Sequence, residues 1–407
     1  MGDKKKRIVI TGLGVLSPLG IGIKQYWNSL LRKSFPLSNI DLFSTTEFKC
    51  KKAFQVKNFD FSKFYPHLRS EYMPRSTKML LSSVKMALKD SGLSDKGPYG
   101  NRDWGVFTST IYGSWKATYY FYKNVLLNGP QYVDPMAFPP ALINYSSSYL
   151  CIVNGFQGPN LTFSGGYNAG LEAINYASEM IKYGLIKVGM VNGLNDLGAD
   201  SYAHLSLKGL LYVPNKKEGY KPGIFDARRK GFIVGENSSS VVLEDIENAI
   251  RRKAKIYAEV VGYGVNFGNT SEDYEKVMLT AINNSNLKPA DIDACLINAS
   301  GRRLADALEI KAIEKLFKSS LEQIDFLALK ENNGECEGAS AVVETLTAAK
   351  ALRSRVFPPS LLEYKNSNVL GKIGLIRKRH NTKIKNILIN SFNIEGNNSS
   401  LIIRGLG

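Results

Sequence analysis

Short runs of β-branched and aromatic residues alternate along the chain with runs whose apolar positions recur every three or four residues. "RIVITGLGV" predicts an opening strand, "STKMLLSSVKMALKDSG" an amphipathic helix ending at Gly92, and "WGVFTSTI" another strand. "VGMVNG", "SSSVVLEDIENAIRRKA" and "IYAEVVGYGV" continue the alternation. After residue 250 it restarts with "EKVMLTAINNSNL", "IDACLINAS", "ADALEIKAIEKLF" and "IKNILINSFNI". The pattern predicts an α/β protein in two parts, residues 1–250 and 251–407. No low-complexity linker lies between them, so they are expected to pack as one compact unit.

One stretch, "LTFSGGYNAGLEAI", combines a strand signal with a sharp turn and a helix signal. Leu161, Thr162 and Phe163 favour a strand, and Gly165 and Gly166 permit a tight turn. Leu171, Ile174, Ala177 and Ile181 then repeat at helical spacing, with Lys182 in the last turn and Gly184 placed to end the helix. Residues 160–184 therefore read as strand, elbow, helix. An elbow of this kind lifts one side chain to a helix N-terminus, where free N–H groups favour a thiolate or an oxyanion. The residue at that corner is Tyr167, whose phenol, with an ordinary pKa of about 10, is a poor acyl acceptor. The same pattern also describes an ordinary α/β turn whose tyrosine packs.

Composition narrows the classes. An apolar share of 44% with 22% charged residues is that of a globular protein. The apolar runs fall short of the roughly 20 residues that a membrane-crossing helix needs. "MGDKKKRIVITGLG" reads as a first strand rather than a signal peptide. Cys50, Cys151, Cys295 and Cys336 are scattered, so neither a zinc site nor a disulfide framework is expected, and a cytoplasmic location is. "TGLGVLSPLG" has Ser17 where a dinucleotide fingerprint needs its third glycine, and no Walker A pattern occurs, so no nucleotide cofactor is expected. The net charge of +17 suits an anionic partner. No nucleic-acid module is found, which leaves steering of an acidic protein, with "KKKR" at 4–7 and "RKRHNTK" at 377–383 as the densest clusters, or a compositional bias of the host genome.

Four ordered stretches resemble the β-ketoacyl-acyl carrier protein synthases, the condensing enzymes of type II systems. "RIVITGLGVLSPLG" resembles the opening strand and loop of that family, and "GPNLTFSGGYNAGLEAINYASEMIKYG" its nucleophile elbow. "GIFDARRKGFIVGENSSSVVLED" is similar to its F-D-x-x-R-x-G-F-V-x-G-E segment, with Phe225, Asp226, Arg229, Gly231, Phe232, Gly235 and Glu236 in register. "NSFNIEGNNSSLIIR" resembles its C-terminal N-S-F-G-F-G-G-x-N stretch. The resemblance implies the thiolase-like fold, five αβαβα layers in two similar halves, and a dimer. It also implies chemistry by an acylated cysteine and two histidines, with no cofactor or metal. Carried over by position, the cysteine falls on Tyr167, one histidine on Ser300 and the other on Glu335, while Lys330 and Glu344 match retained family positions. An anionic Glu335 about 4 Å from a malonyl carboxylate would repel it by roughly 4 kcal/mol at an effective dielectric near 20. In the C-terminal gate, Asn393, Ile394 and Glu395 stand where the family has glycine, phenylalanine and glycine, and only Gly396 is kept.

These substitutions resemble those of chain-length factors, non-catalytic partners of active ketosynthases in type II polyketide systems. That likeness implies two partners: an active ketosynthase, and an acyl carrier protein with a phosphopantetheine-tethered chain. Chain-length factors of aromatic systems typically have glutamine at the elbow, so the tyrosine leaves aryl polyene and other polyene systems open as well. Residues 109–144 match the interface and tunnel region, where Ile111, Tyr112, Trp115, Tyr119, Tyr120, Met136 and Phe138 are candidates to set tunnel depth. Ordinary interface packing is the competing account of those aromatics. Two other functions stay open: an acyl transferase or cyclase using Ser164, Ser300 or Cys336 near Glu335, and a homodimeric acyl-binding protein.

Overall fold

The computed structural model describes residues 6–94, 96–213, 231–361, 373, 380–381, 384–393 and 395–406. Phe225, Asp226 and Arg229 of the matched segment, Ile394 of the gate, Lys4 and Lys5, and most of 377–383 lie outside the described residues.

The strands of the first half are β1 (Ile8–Ser17), β2 (Trp104–Ser109), β3 (Asn160–Phe163), β4 (Val188–Asn195) and β5 (Asn237–Asp245). Those of the second are β6 (Ala258–Phe267), β7 (Ala294–Leu296), β8 (Asp325–Leu327), β9 (Asn386–Phe392) and β10 (Asn397–Arg404). The principal helices are α1 (Arg75–Ser91), α2 (Trp115–Asn128), α3 (Tyr145–Asn154), α4 (Ala169–Lys182), α5 (Ala199–Leu207), α6 (Ser271–Asn284), α7 (Arg303–Phe317) and α8 (Ser340–Ser354). The first half runs β1-β5-β4-β2-β3 and the second β6-β10-β9-β7-β8, with the same antiparallel, antiparallel, parallel, parallel pairings in that order. Each half is thus one α/β unit, repeated. The two sheets meet where Ile8, Val9 and Ile10 pair antiparallel with Val260, Glu259 and Ala258.

Helix α1 packs outside on β1, β5 and β4, and α6 occupies the equivalent place on β6 and β10. Between the sheets lie α4 and α8, and α8 touches β5 and β4 of one half and β9 and β10 of the other. This is the five-layered thiolase-like arrangement expected above. A helix in the central layer has no solvent face, and α8 is accordingly buried along nearly its whole length. The glycines of "TGLG" serve this packing: a Cβ on Gly14 would sit 1.9 Å from the Ser83 carbonyl oxygen of α1. No helix among the described residues is long and apolar enough to cross a membrane.

Residues 111–144 depart from the layered plan. Helix α2 has no buried residue, although its sequence, "WKATYYFYKNVLLN", is largely apolar. Leu126 and Leu127 are 83% and 71% exposed, and Tyr120, Tyr132, Met136 and Phe138 are exposed with them. The helix is held near its start by Tyr112 and Trp115, whose rings contact each other and His204 of α5. Among the described residues, strand β3 pairs only with β2 and stands at the edge of the first sheet.

Candidate functional site

The elbow forms as read. Strand β3 ends at Phe163, Gly166 takes φ +113°, and α4 starts at Ala169. The turn accepts only glycine at 166 because a Cβ there would lie 1.9 Å from Asn393 Nδ2, besides the left-handed φ. Tyr183 ends α4, with the Gly184 and Leu185 N–H groups donating back to Ile181 and Met180 at 3.0 Å each, a Schellman turn. Tyr167 is 8% exposed. Burial, then the nearby Glu337 and Glu335 carboxylates, raise its phenol well above the usual range, so it stays protonated. The tyrosine fills the corner as a neutral, bulky group.

Glu335 is fixed by backbone and side chain together. Its N–H donates to the Ile233 carbonyl and its carbonyl accepts from Gly235 N, each at 2.8 Å, tying it to the end of the matched glycine-glutamate segment. Its Oε2 meets Lys330 Nζ at 2.8 Å, and its Oε1 accepts from Ser340 Oγ at 2.7 Å and Glu337 N at 3.0 Å. Lys330 also donates to Asn298 Oδ1 at 2.9 Å. Both ends of the ion pair are buried. Burial disfavours the Lys330 ammonium, but Glu335 and Glu344 more than offset this and raise its pKa. Among the described residues Glu344 finds no hydrogen-bond partner for either carboxyl oxygen, and burial pushes it up to about 8 despite Lys330. Glu337, with φ +48°, is likewise pushed up to about 8 by burial and by Glu335, and is hydrogen-bonded to Tyr112. One ammonium therefore serves a crowd of buried carboxyls, and at neutral pH part of that crowd is protonated.

Ser300 and Glu335 line one cavity of about 30 Å³, room for little more than a water. The Ser300 hydroxyl donates to Asp306 Oδ1 at 2.8 Å and accepts from Arg302 N at 3.3 Å, which makes it the pivot of a turn into α7. Glu309 of the same helix accepts from the Asn298 and Ala299 N–H groups at 2.8 and 3.0 Å, and burial raises it to about 7. Cys336 is fully buried, and burial with Glu335 keeps its thiol well above the ordinary range. Ser164 is on the exposed outer side of the elbow. Ser300 is thus committed to Asp306 and the Cys336 thiol is held protonated, so neither has the activated setting that a replacement nucleophile requires.

The gate and tunnel candidates divide by place. Asn393 Nδ2 and Asn397 Nδ2 both donate to the Gly165 carbonyl, at 3.3 and 3.2 Å, and Gly396 N returns to Asn393 O at 3.0 Å. The described part of the altered gate is therefore hydrogen-bonded to the elbow, and Ile394 lies outside the described residues. Ile111, Tyr112 and Trp115 are half-buried beside the site, whereas Tyr119, Tyr120, Met136 and Phe138 are on the exposed face. Glu337, Asn298 and Arg302 belong to the site but were not singled out. Glu337 and Asn298 each sit two residues from a matched position, the only signal that could have marked them. Among the described residues no cluster of three or more His, Cys, Asp or Glu side chains could hold a metal ion.

Comparison with known proteins converges on one family. Residues 5–249 match the beta-ketoacyl synthase N-terminal domain and residues 257–362 the beta-ketoacyl synthase C-terminal domain. A 3-oxoacyl-[acyl-carrier-protein] synthase 2 from Rhizobium meliloti (strain 1021) is 31% identical over 98% of this chain and 99% of that protein. The protein of the same name from Coxiella burnetii is 27% identical over equal shares. Among solved structures, a beta-ketoacyl synthase from Burkholderia phymatum STM815 superposes with a TM-score of 0.90, covering 99% of this chain and 100% of that one at 22% identity. The ishigamide ketosynthase/chain length factor superposes with a TM-score of 0.89 at the same coverage and identity. The repeated half-sheets, the elbow and the family matches across both halves lead to one conclusion: this chain belongs to the beta-ketoacyl synthase family.

Proposed function

We propose that this chain is a non-catalytic ketosynthase-like subunit, a chain-length factor that pairs with an active ketosynthase and shapes the tunnel for a growing polyketide or polyene chain. The observation that carries this reading is the state of the three reagent positions. The nucleophile's corner holds a protonated, buried Tyr167, one histidine position holds Ser300 bound to Asp306, and the other holds Glu335 locked to Lys330. Condensation needs a thiolate and groups that stabilise an enolate, and these side chains supply neither.

The exposed face of α2 supports pairing. Lys116, Lys123 and Asp134 are the only charged residues between Ser109 and Asn160, against 22% charged over the whole chain. Large apolar side chains with few charges mark the core of a protein interface. Strand β3, which follows this stretch in the chain, is an edge strand among the described residues and so could offer backbone groups to a partner strand. For the carrier protein, a crevice of about 490 Å³ lined by Lys208, Arg302, Arg303, Tyr274, Leu304 and Leu308 offers cationic and apolar walls to a phosphate-linked chain.

The test is co-expression with the ketosynthase encoded alongside, purification through a tag on this chain, and a malonyl-carrier elongation assay. A one-to-one complex is expected, whose elongation survives Tyr167→Ala here and is lost when the partner's cysteine is replaced. Turnover by this chain alone, lost on Ser300→Ala, would establish the acyl transferase or cyclase instead. A stable homodimer that ignores the ketosynthase would establish the acyl-binding protein.

A further inference from the structure

A second crevice, of about 560 Å³, lies at the opposite end of the first sheet from the elbow. Its four cations come from three places in the chain: Lys6 before β1, Lys187 before β4, and Arg251 and Arg252 after β5. The elbow is at the far end of the parallel strands, so β4, eight residues long, sets the separation at about 25 Å. Nothing in the ketosynthase reading uses this crevice.

Two of the cations are already paired with carboxylates. Arg252 is ion-paired with the buried Glu244 through both Nε and Nη2, and its Nη1 donates to the Ser91 carbonyl at 2.7 Å. Lys187 meets Asp103 at 3.2 Å. The other two have no carboxylate partner among the described residues. Lys6 Nζ donates to the Ile181 carbonyl at 3.2 Å, and Arg251 Nη2 to the neutral Asn248 side chain at 2.8 Å. Among the described residues the single carboxylate lining the crevice is Asp245, which already accepts the Glu247 N–H at 3.3 Å. The floor is apolar, formed by the buried Ile181, Ile186 and the ring of Tyr99.

The geometry points to a binding site for a small phosphate-bearing molecule, about nucleotide size, with Lys6 and Arg251 as its phosphate contacts. A crevice of several hundred Å³ with an apolar floor suits a small organic ligand. With Arg252 paired to Glu244 and Lys187 to Asp103, Lys6 and Arg251 are left facing one lining carboxylate, Asp245, and a bound anion supplies the opposite charge they lack. An arginine whose guanidinium is not held by a carboxylate keeps its planar fork for phosphate oxygens. The net charge of the chain supplies only long-range attraction, so the site is distinguished by loss of binding at two named residues.

The experiment is calorimetric titration of the full chain, alone or in its purified complex, with inorganic pyrophosphate and separately with ADP, at fixed ionic strength. Saturable one-to-one binding is expected. Arg251→Glu and Lys6→Gln should each weaken it about tenfold or more, a loss of roughly 1.4 kcal/mol. Both side chains are exposed, and circular dichroism with unfolding curves checks that each variant remains folded. Tighter binding of ADP than of pyrophosphate would place the nucleoside on the Tyr99 floor; equal binding would assign the site to the phosphates alone. No binding by the unaltered chain, or binding untouched by both substitutions, would overturn the proposal. Elongation by the complex reads the chain-length role separately, so either idea can fail without the other.

Discussion

Lys330→Met is the substitution that bears most directly on how this site is built. Methionine matches the length of the lysine stem, so the change removes the ammonium with little loss of volume. It leaves Glu335 Oε2 without the partner now 2.8 Å away and Asn298 Oδ1 without the donor at 2.9 Å. The gross attraction at that separation is about 6 kcal/mol at an effective dielectric near 20. Desolvation of both ions offsets much of it, but removing one partner strands the other, and the expected loss is about 3–5 kcal/mol. Neighbouring carboxyls cannot compensate: Glu344 and Glu309 are acidic groups that the ammonium now helps to tolerate. The assay is urea unfolding followed by tryptophan fluorescence, on Lys330→Met, Glu335→Gln and the double variant. The double variant should recover at least about 1.5 kcal/mol relative to Lys330→Met, because no buried charge is then left unpaired at the pair. A loss below about 1 kcal/mol in Lys330→Met, or a double variant no more stable than it, would refute the claim that Glu335 is a locked structural group.

Three further outcomes follow from the same geometry. Glu344, pushed up to about 8 in the fold from an ordinary 4.5, favours folding in its protonated form, so its contribution is fully present below pH 4.5 and is lost as pH rises through about 8. Glu344→Gln should therefore flatten the fall of stability across that window by up to about 1.4 kcal/mol per pH unit, and an unchanged slope in urea midpoints would contradict it. Replacing Tyr112 by alanine removes a half-buried ring and its bond to Glu337, and should lengthen the product of the complex by one or more extender units by mass spectrometry. Unchanged length there and at Ile111, Trp115, Tyr119, Tyr120, Met136 and Phe138 would end the gating role. Leu126→Glu with Leu127→Glu should abolish co-purification with the ketosynthase while leaving the unfolding midpoint of the isolated chain within about 0.5 kcal/mol, since neither side chain is buried in it.

What the chain discloses in advance depends on whether a residue's task is local. The elbow was legible because its strand, its glycines and the spacing of Leu171, Ile174, Ala177 and Ile181 all act within a few turns of one another. The two halves were legible for the same reason, as a repeated alternation that the strand pairings reproduce. Helix α8 was harder: buried on all sides, "SAVVETLTAAKALRS" has no polar face to set a period, and only its place between two sheets explains its composition. The site was half legible for a related reason. A family pattern marks positions, so Tyr167, Ser300 and Glu335 could be found by position, but it does not mark the partners that set what the replacing side chains do. Ser300 is committed to Asp306, Glu335 to Lys330 and Ser340, and Glu337, near no recognised motif residue except Glu335, is committed to Tyr112 more than two hundred residues earlier. A residue at a matched position takes a structural role where its hydrogen-bonding capacity is consumed within the fold. By that test Glu335, whose contacts to Lys330, Ser340 and the Glu337 N–H are all internal, has a structural role, and the exposed apolar side chains of α2, with only Lys116 and Lys123 charged among them, are what the fold leaves unused.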